Sequence, residues 1–147
     1  EQLGYIHHCE DCLARRHEFG HHPQSMPDTC PVCGSNRLLT AGPLWLGPVA
    51  ESEFVSDVRG ALSAEMGTAS RADRLLSTVE SELDTPTHYD QHRLTKLWGV
   101  PANAMDEFIQ DLTDAGYEAS QAHYSGTAFK TEATVEQIRE AAAPDAD

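Results

Sequence analysis

Cys9 and Cys12, then Cys30 and Cys33, set the tightest constraint on this chain: two C-x2-C pairs separated by 17 residues. Two residues between cysteines let both sulfurs of a pair reach one metal ion, and two such pairs complete a tetrahedral shell. Pro31 pre-sets a turn inside the second pair, and Gly34 can take the positive φ that turns backbone N–H groups toward the sulfurs. The spacing predicts a structural zinc site on Cys9, Cys12, Cys30 and Cys33. Two disulfides are the alternative, yet four cysteines in 147 residues is not a disulfide-dense composition. A redox C-x-x-C is disfavoured because one such pair needs no second. Four thiolates also leave no open position for a metal-bound water, which argues against a zinc hydrolase.

The chain is long enough for one domain or two small ones. No apolar run approaches the length of a membrane span. The opening Glu1-Gln2-Leu3 has neither the basic region nor the apolar core of a signal peptide, and it lacks an initiator methionine. These features lead us to expect a cytoplasmic protein and a piece of a longer chain. Acids outnumber bases 24 to 10, for a net charge of −14, and the only lysines are Lys96 and Lys130. Acids spread along the whole sequence are the expected signature of salt adaptation, where a strongly charged surface keeps a protein soluble. Acidity then does not exclude a nucleic-acid partner. In molar salt, counterion release contributes little, and affinity must come from shape, stacking and a few placed bases.

Along the chain, residues 1–45 read as a zinc ribbon: a short extended entry at Gly4-Tyr5-Ile6-His7-His8, a loop or loose hairpin over 13–29, and a returning strand at Asn36–Thr40. Ala41-Gly42-Pro43-Leu44-Trp45-Leu46-Gly47-Pro48 cannot be helical, and its Leu-Trp-Leu centre predicts a buried connector. Residues 46–140 read as a helical domain with a β-hairpin. Phe54, Val55, Val58, Leu62 and Met66 form one helical stripe ending at Gly67, and Ala72, Leu75, Leu76, Val79 and Leu83 form another after Ser70; both are expected in the core. Thr87 and Asp90 predict a capping-box-like start for a helix carrying Leu94, Leu97 and Trp98. Gly99-Val100-Pro101 turns into a helix over 102–115 with Met105, Phe108, Ile109 and Leu112 facing in. Strands at 117–123 and 127–130 flank a Ser125-Gly126 turn, and Thr134 with Gln137 opens a last short helix before a frayed 141–147 tail. Helix, short turn, helix and hairpin is the order of a winged helix. The expected fold class is therefore α+β: a zinc ribbon followed by a helical, winged-helix-like domain with a β-hairpin.

Gly4-Tyr5-Ile6 ahead of the first cysteine pair, then Gly42-Pro43-Leu44-Trp45-Leu46-Gly47, Tyr117-Glu118-Ala119-Ser120 with His123, and Phe129-Lys130-Thr131-Glu132-Ala133 occur in that order. Taken together they resemble the C-terminal part of the archaeal tRNA (guanine(26)-N2)-dimethyltransferases, over nearly all of residues 3–140. The family usually has Ser-Arg-Thr-His where this chain has Ser120-Gln121-Ala122-His123, so one arginine of the pattern is missing. The resemblance implies an intact enzyme that uses S-adenosylmethionine to methylate a tRNA guanosine. No Gly-x-Gly and no Asp-Pro occurs in this chain. The cofactor loop and the amine-binding motif would therefore lie in an N-terminal methyltransferase domain, and this part would carry no catalytic residue.

On that reading the chain is a tRNA-recognition and docking module, with candidate contacts Arg15, Arg16, Arg37, Arg93, Lys96, His123, Lys130 and Thr131. Adjacent guanidiniums at Arg15-Arg16 can bracket phosphates. His123 and Lys130 fall on opposite arms of the predicted hairpin and can share one face. A Lys130→Ala change is expected to weaken tRNA binding without lowering the melting temperature. The competing reading is a zinc-ribbon and winged-helix transcription-factor module that binds DNA or protein. Its recognition helix, 102–115, has Asp106, Glu107, Asp111 and Asp114 on its polar side and no Lys or Arg, which disfavours major-groove reading.

Overall fold

In a computed structural model, which describes residues 2–24 and 26–144, the first cysteine pair closes a strand whose side chains alternate strictly. Strand β1 (Leu3–Cys9) turns Tyr5, His7 and Cys9 inward, the period-two arrangement of a pleated strand. It is the centre of an antiparallel sheet of order β2-β1-β3, with β2 at Arg15–Phe19 and β3 at Leu38–Trp45. Of the two expectations for 13–29, a loop or a loose hairpin, the hairpin is the one seen, with β2 as its second strand. Arg15-Arg16-His17-Glu18-Phe19 has no apolar alternation to announce it. What orders it is backbone pairing with β1, from Gly4↔Phe19 to His8↔Arg15, together with His7. His7 is buried, receives or gives a 2.9 Å hydrogen bond through Nδ1 at Thr40 Oγ1, and sets Nε2 3.2 Å from Glu18. One imidazole therefore ties β1 to both its neighbours.

The returning strand is longer than expected and runs through Gly42-Pro43, which is a cis peptide. Proline is tolerated there because β3 is an edge strand. A Cβ on Gly42 would lie 2.3 Å from the Tyr5 ring, so the close approach of that ring dictates glycine. The expected buried connector is only partly buried. Leu46 is inside, whereas Trp45 is 59% exposed and donates its indole N–H to the Pro48 carbonyl.

Two helices follow, α1 (Ser52–Gly60) and α2 (Ala69–Ser81). The first stops at Gly60, well before Gly67, in keeping with the poor helix propensity of glycine. The two apolar stripes do not form a core. Only Val55 is buried, α2 buries no residue, and Phe54 is 66% exposed. The stripes half-cover each other as a helical hairpin, and Arg59 binds Asp73 at 3.1 Å and also Glu80 across it.

The core lies further on. Strand β4 (Tyr89–Asp90), α3 (Gln91–Trp98), α4 (Met105–Asp114), β5 (Ala119–Gln121), β6 (Ala128–Thr131) and α5 (Val135–Ala142) build a second sheet of order β4-β6-β5 with helices packed on it. Asp90, not Thr87, is the N-cap of α3: its carboxylate accepts from the Arg93 N–H at 2.9 Å. Gly99, at φ +70, ends α3 in the left-handed conformation. Thr134 and Gln137 form the capping box expected for α5. The helix extends through Ala142, and Ala143 is buried, so the tail is ordered beyond 141; residues 145–147 lie outside the described residues.

Leu94, Phe108, Leu112, Phe129, Val135 and Ile138 form this core, and Leu13 of the ribbon is a member of it. Leu13 holds φ at +63, the left-handed region, one residue after Cys12. That backbone turns the leucine into the core of the second sheet. Leu13 thus links residues 1–45 to the packed interior of residues 46–140.

Candidate functional site

Both cysteine pairs sit on equivalent turns. After β1 the chain folds back with Leu13 N–H on Cys9 O at 3.0 Å and Cys9 N–H on Ala14 O at 2.9 Å. In the second turn Gly34 N–H reaches Cys30 O at 2.8 Å and Cys30 N–H reaches Ser35 O at 2.6 Å, with Gly34 at φ +74. The Val32 N–H points at the Cys30 sulfur, 3.4 Å away. All four sulfurs lie within 4.8 Å of one another, and none forms a disulfide. Cys9–Cys33 and Cys12–Cys30 are 3.6 and 3.7 Å apart. A tetrahedral ion with metal–sulfur bonds of about 2.3 Å sets its ligands about 3.8 Å apart, so this cluster can hold one metal ion. Burial pushes the Cys9 thiol up, but N–H groups of Cys12 and Asp11 and the sulfurs of Cys12 and Cys33 outweigh it and bring it below its ordinary value. Cys12 is pushed up, chiefly by burial.

The candidate RNA contacts separate into bound and free groups. Arg15 is half-buried and spans the two halves of the fold: it donates to the His88 carbonyl and lies 4.9 Å from the centroid of the Tyr89 ring. Arg37 is exposed but paired with Asp11 at 2.6 Å and Glu10 at 3.4 Å, which braces the first cysteine turn. Arg16 is exposed, with the Met26 sulfur 3.8 Å from its guanidinium. Arg93 and Lys96 are exposed one turn apart on α3, line a groove with Glu10, Asp11 and Leu13, and enter no ion pair among the described residues. Burial, then the charges of Arg15 and Arg93, hold His8 below its usual value, so the positive potential is felt across the ribbon edge.

Lys130 and Thr131 are not surface contacts. Thr131 is buried and donates to the Glu118 carbonyl at 2.6 Å. The Lys130 side chain is 3% exposed, and its ammonium lies 2.8 Å from Glu82, a carboxylate 1% exposed. His123 does reach the same point. Its Nδ1 lies 2.7 Å from the other Glu82 oxygen, which also accepts its backbone N–H at 2.8 Å. Lys130, expected among the tRNA contacts, is thus an internal counter-ion of Glu82, the residue that ends α2. Burial would raise the Glu82 pKa, but hydrogen bonds from Lys130 and His123 outweigh it and hold it below the carboxylate range. Glu82 itself, and the neighbouring rings of His88 and Tyr124, carry no signal in the sequence pattern. His88 precedes a two-residue strand and Tyr124 sits in a turn, so only the fold brings them to His123.

The sequence pattern of the N2,N2-dimethylguanosine tRNA methyltransferase family matches residues 1–143. The tRNA (guanine(26)-N(2))-dimethyltransferase of Haloarcula marismortui is 57% identical over 143 residues, 97% of this chain and 38% of that protein. The protein of the same name from Haloquadratum walsbyi is 57% identical over 141 residues, covering 95% of this chain and 36% of its own length. Among solved structures, Trm1 from Pyrococcus horikoshii in complex with S-adenosyl-L-methionine superposes with a TM-score of 0.75 at 31% identity, covering 96% of this chain and 35% of that one. The chain thus spans little more than a third of the relatives it matches. With four clustered sulfurs, a shared core and this similarity along nearly its whole length, the chain belongs to the N2,N2-dimethylguanosine tRNA methyltransferase family.

Proposed function

We propose that this chain is the tRNA-recognition and docking part of an S-adenosylmethionine-dependent tRNA guanine-N2 dimethyltransferase acting on guanosine 26. The observation that carries the reading is similarity over 97% of the chain to a relative of which it spans 38%. Methyl transfer belongs to the part of the enzyme beyond the matched region, a methyltransferase domain that binds the cofactor and is the natural partner of this chain. Among the described residues no helix is long and apolar enough to cross a membrane; an enzyme acting on tRNA would work in the cytoplasm. Zinc is the ion we assign to Cys9, Cys12, Cys30 and Cys33. Its role is structural, since all four positions of a tetrahedral shell are filled by thiolates. The order β4-α3-α4-β5-β6, with β6 between β4 and β5, supports a winged-helix arrangement in which β5 and β6 are the wing.

Of the candidate contacts, Arg16, Arg93 and Lys96 are exposed and open to tRNA phosphates; Arg15 supports them at the junction. They stand out in a chain of net charge −14, whose composition fits the salt-adapted sources of its near relatives. The test is a titration of the zinc-loaded chain in molar KCl against an unmodified tRNA transcript and a duplex DNA of equal length. Saturable binding to tRNA and not to DNA is expected. Equal or better binding to DNA overturns the reading in favour of a DNA-binding module. Binding to neither leaves the chain as a brace for the catalytic domain and refutes its role in recognition.

A further inference from the structure

Three rings that the sequence scatters over 37 residues come together beside the ribbon junction. Tyr124 stacks on His88 with centroids 4.2 Å apart and planes 20° apart. It also packs on His123 with centroids 4.1 Å apart and planes 33° apart. Two rings cannot share one face of a phenol at these separations, so Tyr124 is sandwiched and the three rings form a short column. The column is fixed at both ends. The His88 carbonyl accepts from Arg15, and His123 is held through Nδ1 and its backbone N–H by the buried Glu82.

This arrangement has no evident packing purpose. Tyr124 is 49% exposed and is not part of the core. The His123 side chain keeps 28% exposure although its Nδ1 is pinned, so the column is open to solvent at the His123 end. Burial, then the charges of Arg15 and Lys130, hold the His88 pKa below its ordinary value, which keeps that imidazole neutral. A fixed ring that is partly open to solvent is a platform on which an unstacked nucleobase can stack, since every base has a π-face. Stacking also survives the molar salt in which phosphate contacts weaken.

We propose that the His88–Tyr124–His123 column is a nucleobase-stacking site, and that an unpaired base of the tRNA extends it at the His123 end. The site rests on the tRNA-recognition reading for its source of base, but its chemistry asks only for single-stranded RNA. His123→Gln combined with Tyr124→Leu removes the rings while leaving an amide to hydrogen-bond Glu82. Its affinity for the tRNA transcript in molar KCl is expected to fall about 10- to 100-fold, with an unchanged salt slope and an unchanged melting temperature. Tyr124→Phe keeps the column and is expected to bind as the parent chain does. In parallel, a short single-stranded RNA oligonucleotide added to the parent chain is expected to shift the His123 ring-proton resonances. If the chain binds tRNA and the double variant binds it equally well, the stacking site is overturned and the recognition reading stands. If the chain binds no tRNA but the oligonucleotide shifts those resonances, the recognition reading fails and the site stands. No tRNA binding and no shift overturns both.

Discussion

Replacing Lys130 by methionine keeps the length and apolar stem of the side chain and deletes its charge. In the parent protein the ammonium lies 2.8 Å from Glu82, with 3% and 1% of the two side chains exposed. The variant leaves a carboxylate in the interior with only the two hydrogen bonds from His123. Removing one partner of a buried pair costs about 3–5 kcal/mol, because the remaining charge stays desolvated. The His123 bonds set the expected cost at the lower end, about 3 kcal/mol. For a chain of 147 residues the entropy of unfolding is about 0.3 kcal/mol per degree, which converts that cost to a fall in Tm of about 10 °C. Thermal melts followed by circular dichroism in molar KCl measure it, and the high salt is no obstacle, since a buried pair is screened little. Adding Glu82→Gln to Lys130→Met replaces the stranded charge with a neutral amide that still bonds His123, and is expected to recover most of the loss. A Tm within about 3 °C of the parent for Lys130→Met, or no recovery in the double variant, would refute the argument from burial.

The same carboxylate sets the acid limit. Since the Glu82 pKa is lowered in the folded protein, its contribution to stability is complete above the usual carboxylate pKa and is lost as pH falls through the folded value. Lys130→Met weakens that depression, so the acid-unfolding midpoint should move to higher pH; a midpoint that stays put counts against the assignment. Cys30→Ser removes one of four sulfurs from the cluster and is expected to reduce bound zinc below one per chain and lower Tm, because structural zinc supplies about 10 kcal/mol or more of folding free energy. Zinc analysis of the purified variant decides it, full occupancy with an unchanged melt being the contrary result. Leu13→Ala should cost about 2–5 kcal/mol in urea unfolding, and should perturb the methyl and ring resonances of Leu94, Phe108 and Phe129, though the mutation lies in the ribbon. Changes confined to the ribbon would refute the shared core.

The clustering of the four cysteines was legible in the sequence because their spacing is local: each pair spans four residues and each turn is closed by its own backbone. Capping at Thr134 and the inward face of α4 were legible for the same reason. Where the expectation failed, a distant partner decided the outcome. Arg15–Phe19 has a loop-like composition and becomes a strand because β1 offers it a ladder. Lys130 reads as a surface charge until Glu82, 48 positions earlier, is placed beneath it. The α1 and α2 stripes have the right period for a core, yet periodicity states only that one face is apolar and not what covers it. The ring column was invisible because three aromatic residues in two loops carry no periodicity at all.

Leu13 bears on what can be transplanted from this protein. Its backbone occupies a region that costs a non-glycine residue roughly 1 kcal/mol or more, and its N–H is bonded to the Cys9 carbonyl within the first cysteine turn. The side chain that results belongs to the same buried cluster as Leu94, Phe108 and Phe129 of the helical half. A protein engineer who grafts residues 46–140 onto another scaffold leaves a leucine-sized hole at its centre. One who swaps in a foreign ribbon of equal cysteine spacing must supply a plug of the same shape at the same angle. Cutting between sequence blocks would therefore yield two incomplete objects, and the smallest transferable piece includes the first cysteine turn along with the helices it seals.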